Sequence, residues 1–371
     1  MPLNTAAWLD APYADFTVRS AGYTAPDAHE IVIRNRAVAV NPLDAIKQST
    51  GNLMYKWLPY PSVLGEDVAG EVVEVGSAVT RFAVGDRVAA YAVGMEKGRA
   101  HQPEGGFQLY TVARDELAAP IPDAMRYEDA AVFPLAVSTA ASALFQRDQL
   151  GLRHPGVGSS PTGDTVVVWG GSTSVGSNAI QLAVAAGYRV VTTASPHNHS
   201  WMRELGASDV FDYAARDTAR DITALLKATR VVGVFAVGTG SAEPSVQIAA
   251  ALGVKRVVLA SPSVSFASLP RQRGINRRFV TVMAHLVSGN VALQARCIVH
   301  GIRARFVWGS SLMNNEVGPM LWGEFLPAAL ADGRYVAAPS PEVVGSGLEN
   351  VQVAVDALRR GVSARKLVVL L

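Results

Sequence analysis

The sequence predicts an α/β fold in two parts, a β-rich region followed by a doubly wound parallel sheet. Three observations carry that expectation. Strand-like and helix-like runs alternate from about Ala130 to Ser310, as they do where helices cover both faces of a parallel sheet. Within that stretch, Val166-Val-Val-Trp-Gly-Gly-Ser-Thr-Ser-Val-Gly176 reads as strand, tight glycine turn and helix start. Ahead of it, from Thr5 to about Asp129, short apolar runs are punctuated by glycine in the manner of a β-rich unit.

In chain order, strands are expected at residues 30–40 and 68–75, closed by Asn41-Pro42, Gly76 and Gly85-Asp86. The parallel sheet draws strands from residues 166–169, 190–193, 234–237 and 257–260. Residues 153–164, rich in Pro, Gly and Ser, form a surface loop ahead of the first of these. A helical run over 348–360, then Gly361 and a strand over 366–371, closes the chain. The expected domains are 1–130, completed by 311–371, and 131–310. At 371 residues, two domains of ordinary size can each bury a core.

The glycine turn carries chemistry. Val175, Ala179, Ala183 and Ala186 recur every three or four residues, so a helix starts where the strand stops. Backbone N–H groups and the positive end of the helix dipole then face outward, which suits a pyrophosphate. Gly170 and Gly171 let the chain turn close to a phosphate, and Gly176 lets helix and strand pack closely. Many βα turns carry glycine and bind nothing; the flanking strand and helix make this one a dinucleotide signal.

Composition excludes several classes. The formal net charge is +2 and no basic stripe is interleaved with aromatics, so nucleic acid is not an expected partner. The densest basic patch, Arg271, Arg273, Arg277 and Arg278, reads as solvated surface. Although 49% of residues are hydrophobic, charged or strongly polar groups interrupt every stretch of about 20, so no membrane association is expected. The first residues lack a basic region followed by an apolar run, and no secretory leader is expected. The single cysteine, Cys297, excludes an intramolecular disulfide and a Cys-rich zinc site. That count fits a reducing compartment, and a cytoplasmic location is expected.

Further motifs follow in a definite order. They are Asn41-Pro42-Leu43-Asp44, Leu64-Gly65-Glu66-Asp67-Val68-Ala69-Gly70-Glu71-Val72 with Val75-Gly76, and Phe82-x-x-Gly85-Asp86-Arg87-Val88. Gly105-Gly106-Phe107-Gln108-Leu109-Tyr110 and Lys366-Leu367-Val368-Val369 complete the set. Together they make the chain resemble the medium-chain dehydrogenase/reductases over almost its whole length. The resemblance implies a GroES-like β-rich catalytic domain and a Rossmann domain that binds NADP.

One departure redirects the chemistry. Zinc alcohol dehydrogenases of that superfamily read G-H-E where this chain has Gly65-Glu66-Asp67. Their catalytic cysteine near residue 40 is replaced in Val40-Asn41-Pro42, and their four-cysteine lobe by residues 94–101. His101 and Glu66 alone cannot assemble the ligands zinc requires, so no metal is expected. Without a Lewis acid an alkoxide loses its usual stabilisation. Reduction of an activated C=C needs only one or two hydrogen-bond donors for the charge that develops on the carbonyl oxygen. The zinc-free branch that the chain resembles contains quinone oxidoreductases, enone reductases and enoyl reductases. Gly170-Gly-Ser-Thr173, Ser195-Pro196-His197-Asn198, Val210-Phe211-Asp212-Tyr213 and Phe133-Pro-Leu-Ala-Val-Ser138-Thr139-Ala140 are most similar to fungal trans-acting enoyl reductases of polyketide pathways.

The cofactor can be argued from the residues. NAD-specific folds place an acid about 20 residues beyond the glycine turn. Here Thr192-Thr193-Ala194-Ser195 ends the second strand, and no acid appears before Glu204. Ser195, His197, Asn198 and Tyr213 can donate to a 2′-phosphate, and Arg203 or Arg216 can add charge, so NADPH is expected over NADH. The plainer reading of His197 and His199 is as loop histidines near a helix start.

The resemblance implies the remaining site residues. Pro42, Leu43, Asp44 and Ala45 would border the nicotinamide, and Ser172, Thr173, Ser174 and Val175 would hold the pyrophosphate beside Gly170 and Gly171. Ser195, Pro196, His197, Asn198 and Tyr213 would contact the 2′-phosphate, with Leu259, Ala260, Val343 and Val344 returning to the cofactor. Phe133, Pro134, Leu135, Ala136, Val137, Ser138, Thr139 and Ala140 would line the substrate, or equally form a buried helix start. Candidate proton donors are Tyr55, Tyr60, Lys47 and Ser138. Relatives often carry lysine two residues after the aspartate of N-P-x-D; here Ile46 stands there and Lys47 follows.

Three functions fit: an NADPH-dependent enone or enoyl thioester reductase, an NADPH quinone oxidoreductase, and an NADPH-binding protein without turnover. The first implies a small-molecule or carrier-bound acyl substrate and a polyketide synthase partner. Residues 266–305 would form the sheet edge, and their arginines discourage edge pairing, which favours a monomer over a homodimer.

Overall fold

The computed structural model describes residues 2–156, 158–266, 269–272 and 277–371. Two compact units divide the chain: Met1–Leu135 with Phe266–Ile275 and Gly318–Leu371, and Ala136–Ser265 with Asn276–Val317. The changeovers at 135/136 and 317/318 lie downstream of the expected 130/131 and 310/311, and Phe266 and residues 269–272 return to the first unit.

The first unit begins as the sequence suggests, with β1 (Asn4–Leu9), β2 (Phe16–Ala21), β3 (Glu30–Ala39), β4 (Ser62–Val63), β5 (Asp67–Val75), β6 (Arg87–Tyr91), β7 (Tyr110–Arg114) and β8 (Ala118–Pro120). β3 is rich in β-branched and small apolar residues, and Ile31, Val32, Ile33, Ala37, Val38 and Ala39 are all buried. It ends at Val40-Asn41-Pro42, where α1 (Pro42–Thr50) starts. Pro42 at the first helical position has no N–H to leave unpaired, and its fixed φ suits a helix start. Asp44, two residues on, reaches back to accept from the Asn41 N–H at 2.8 Å. After short α2 (Tyr127–Ala130), the chain passes from the first unit to the second within α3 (Pro134–Phe145).

In the second unit strands and helices alternate without exception. β9 (Thr165–Trp169), α4 (Ser174–Ala185), β10 (Arg189–Thr193), α5 (His199–Glu204), β11 (Asp209–Phe211) and α6 (Thr218–Leu226) form the first half. β12 (Val231–Ala236), α7 (Ala242–Leu252), β13 (Arg256–Leu259), α8 (Arg277–His300) and β14 (Arg303–Phe306) form the second. All neighbours are parallel, in the order β11-β10-β9-β12-β13-β14. The order reverses between β9 and β12, and ligands of such sheets bind outside the carboxyl ends of the strands there. Val191, Val167, Val234 and Val257 lie side by side across four strands and anchor one core cluster. Burial on both faces explains the valine-rich runs that made these strands legible.

The C-terminal return adds α9 (Leu326–Ala331), β15 (Ser340–Ser346), α10 (Asn350–Arg360) and β16 (Arg365–Leu370) to the first unit. β16 pairs antiparallel with β3 and parallel with β15, so the end of the chain lies one strand in from the edge of the sheet order β15-β16-β3-β5-β6-β8.

Two expectations need correction. Most of residues 277–305 is the 24-residue helix α8, and the edge of the parallel sheet is the four-residue β14. α8 is also long and apolar enough, by length and composition, to cross a membrane, and most of it is exposed. Ser, Gly, Asn, Gln and His interrupt its apolar run. Of the basic patch, Arg271 pairs with Asp15, Arg277 and Arg278 are exposed, and Arg273 lies outside the described residues.

Candidate active site

The glycine turn stands at the carboxyl end of β9, next to the point of strand reversal. The Gly170 N–H donates to Thr193 Oγ1 at 2.9 Å and the Gly171 N–H to the Thr193 carbonyl at 2.8 Å, which ties the turn to the end of β10. Thr173 caps α4: its hydroxyl accepts from the Gly176 N–H at 3.0 Å and donates to the Gly170 carbonyl at 2.8 Å. Glycine is required at two places. Gly170 has a φ of +88°, and a Cβ on Gly176 would lie 2.1 Å from the Gly170 carbonyl oxygen.

This cradle fits a dinucleotide. The first N–H groups of α4 have no partner within the helix and suit an anion. The Ser174 hydroxyl, on the first helical residue, is buried without a hydrogen-bond partner. β10 and β11 run side by side with Thr193 opposite Phe211, so Ser195 and Tyr213 each stand two residues past adjacent strand ends. Ser195 makes no side-chain cap bond to the helical turn Pro196–Asn198, and the Asn198 Nδ2 amide is buried without a partner. His197 and Tyr213 are exposed. These are donors of the kind a phosphate takes. His199 is committed elsewhere, with its Nε2 3.0 Å from the Ala194 carbonyl. Leu259 ends β13, and the Ala260 N–H donates to the Ala236 carbonyl at 2.9 Å, so both lie at the same edge of the sheet.

The first unit holds the other predicted residues. Pro42 is exposed, Leu43 half-buried, and Asp44 and Ala45 are buried at the start of α1. Asp44 accepts from the Gly65 N–H at 3.1 Å as well as from Asn41; burial nevertheless pushes its carboxyl up to about 7. Beside it Glu66 is fully buried, with Oε2 unpartnered and Oε1 receiving a long 3.4 Å bond from the Tyr91 hydroxyl. Burial first, and the Asp44 charge second, push the Glu66 carboxyl well above the carboxylate range. Asp67 accepts from Asn41 Nδ2 and from Lys366 Nζ, each at 2.7 Å, and from the Leu135 N–H at 2.6 Å. Val343 and Val344 lie on β15, where the register with β16 shifts.

Asn41, Glu66, Asp67 and Lys366 were not predicted as site residues. The available signal was a pair of adjacent acids amid apolar residues and a lone lysine in an apolar closing strand. Among the described residues, no group of three or more His, Cys, Asp or Glu side chains is placed to hold a metal ion.

The candidate donors differ. Tyr55 is fully buried with its ring 5.6 Å from that of Trp57, and burial keeps its phenol protonated far into the alkaline range. Ser138 is fully buried in α3, as are Phe133, Ala136, Val137 and Ala140, and the rest of 133–140 is buried nearly as deeply. Lys47 is buried, and burial lowers its ammonium to about 8. Its Nζ donates to Asn52 Oδ1 and to the Tyr55 and Leu58 carbonyls, each at 3.1 Å, and lies 4.3 Å from the centre of the Tyr60 ring. Three donors are all an ammonium has. Lys47→Met is therefore expected to lower stability by about 2–3 kcal/mol in urea unfolding, since it orphans buried acceptors. A loss of turnover of about 10²-fold or more, read by steady-state kinetics on the folded variant, is what a missing general acid predicts.

A six-stranded parallel sheet with a glycine cradle at its switch point, joined in one chain to a β-rich unit, defines a two-domain nicotinamide-dependent oxidoreductase. The alcohol dehydrogenase GroES-like domain matches residues 27–123. Dehydrogenase pigH of Monascus ruber is 46% identical over 372 residues, covering 100% of both chains. Trans-enoyl reductase himH of Aspergillus japonicus is 40% identical over 370 residues, covering 99% of this chain and 97% of its own. The crystal structure of the CurK enoyl reductase shares the fold at a TM-score of 0.72 and 18% identity, covering 99% of each chain. The chain belongs to the medium-chain dehydrogenase/reductases, with the fungal dehydrogenases and trans-enoyl reductases. It is an oxidoreductase, and members of this family bind a nicotinamide cofactor.

Proposed function

We propose that this chain reduces an activated C=C, in an enone or enoyl thioester, with NADPH and without zinc. The observation that carries the cofactor reading is the acid-free end of β10, where Ser195, His197, Asn198 and Tyr213 present donors beside the cradle. The name of himH, a trans-enoyl reductase, supports a carrier-bound acyl substrate and a polyketide synthase as partner.

The chemistry NADPH supplies when bound is a hydride for the β-carbon. Ser172, Thr173, Ser174 and Val175 hold its pyrophosphate, and Ser195, Pro196, His197, Asn198 and Tyr213 its 2′-phosphate. Pro42, Leu43, Asp44 and Ala45 border the nicotinamide side, with Leu259, Ala260, Val343 and Val344 behind. Residues 133–140 line the substrate. Tyr55, Lys47 and Ser138 are the candidate proton donors. The neutral residues of this set suit a reaction in which charge appears only on a carbonyl oxygen. The enzyme acts in the cytoplasm as a monomer.

NADPH and NADH oxidation against enones, enoyl thioesters and quinones tests the reading. The expected result is turnover with the first two acceptor classes and a preference for NADPH on the order of 100-fold, the size of a few charge-assisted hydrogen bonds. Exclusive use of quinones, or no turnover with any acceptor, would overturn it. Activity lost to chelators would overturn zinc independence.

A further inference from the structure

We infer that Asp67, paired with Lys366, is a positioning residue for the reduction, setting the start of α1 and the first turn of α3 on one carboxylate. The inference rests on the proposed function. Its observation is the division of labour on that carboxylate. Oδ2 receives Asn41 Nδ2 and Lys366 Nζ at 2.7 Å each, and Oδ1 receives the Leu135 N–H at 2.6 Å. Lys366 Nζ also donates to Asn41 Oδ1. Both ends of the Asn41 amide are therefore held, and its backbone N–H is held by Asp44. Asp67 is fully buried and Asn41 and Lys366 nearly so.

The grip joins two segments far apart in sequence. Asn41 immediately precedes Pro42–Ala45, proposed to border the nicotinamide, and Leu135 belongs to the segment proposed to line the substrate. A buried ion pair is a poor investment in stability, because an apolar pair of the same volume serves as well or better. Its geometry instead fixes direction. The three donors reach the carboxylate from three segments, and none can shift without breaking a charge-assisted bond. Placement at this scale matters in catalysis, where an error of about 1 Å in a reacting pair can cost on the order of 10²-fold in rate.

Asp67→Asn retains an acceptor for Leu135 but turns an amide donor toward Lys366 and Asn41. Lys366→Met keeps the apolar stem and removes the charge. The experiment measures kcat and KM with crotonyl-N-acetylcysteamine, the Kd of NADPH by fluorescence, and the isotope effect with 4-deuterated NADPH, all well below each variant's Tm. The expected result is kcat down roughly 30- to 100-fold in either variant, an NADPH Kd within about threefold, and a larger isotope effect as hydride transfer becomes slower. The double variant should be no worse than the worse single one, because the pair acts as a unit. Variants that lose Tm but keep kcat and the isotope effect would show a purely structural pair and overturn the inference. If Asp67→Asn fails to fold, Lys366→Met and Asn41→Ala decide by the same readouts. A wild-type enzyme inactive on all enones and enoyl thioesters would instead defeat the proposed function, and this inference with it.

Discussion

Gly176→Ala is expected to raise the Kd of NADPH at least 100-fold, about 2.7 kcal/mol of binding free energy. A methyl group there would lie 2.1 Å from the Gly170 carbonyl oxygen and 2.9 Å from both the Gly170 carbonyl carbon and Gly171 Cα. All three are backbone atoms of the turn, so no side-chain rotation relieves the clash. Helix and strand must move apart, and the first N–H groups of α4 leave the positions that face a phosphate. Gly323→Ala is the control, since nothing lies within 4 Å of its added methyl. Fluorescence titration, with circular dichroism to establish the fold, checks the difference. An unchanged affinity in Gly176→Ala would mean that the turn is not the dinucleotide cradle.

Ser195→Asp is expected to reverse the cofactor preference. The new carboxylate would stand where a 2′-phosphate is proposed, at a half-buried position past the end of β10. At an effective dielectric of about 20, like charges about 6–8 Å apart repel by about 2–3 kcal/mol, so NADPH should bind roughly 30- to 150-fold more weakly. NADH lacks that phosphate and offers a 2′-hydroxyl for the acid to accept from, so its affinity should hold or rise. Parallel titrations with both cofactors measure the ratio. The same loss for both would place Ser195 in the fold rather than at the phosphate.

The strand–turn–helix around Gly176 and the strand end before Ser195 are legible in the sequence for local reasons. Strand, turn and helix around Gly170–Gly176 are contiguous, and the missing acid after Thr193 can be read a few residues on. The buried central strands were equally plain, because two covered faces demand unbroken apolar runs such as Val166–Val168. β11 and β14 were not. Asp-Val-Phe and Arg-Ala-Arg-Phe are short and partly exposed, and only pairing with a longer neighbour makes them strands. The surroundings of Lys47 were not legible either, because its three acceptors come from a loop whose course the sequence does not display. The Asn41–Asp67–Lys366 grip was beyond reach for a related reason. Each residue is ordinary alone, and their meeting depends on where β16 enters the sheet.

That entry has a consequence in time. Lys366 meets Asn41 across 325 positions of sequence. At a synthesis rate of about 5–20 residues per second, Asn41 and Asp67 wait on the order of 16–65 s for their cation. Through that interval β3 has no β16 beside it, and the Asp67 carboxylate has no counter-charge from Lys366. The first unit is begun before the second and completed only after the parallel sheet has been made, so its core cannot close until β14 is already behind it in the chain.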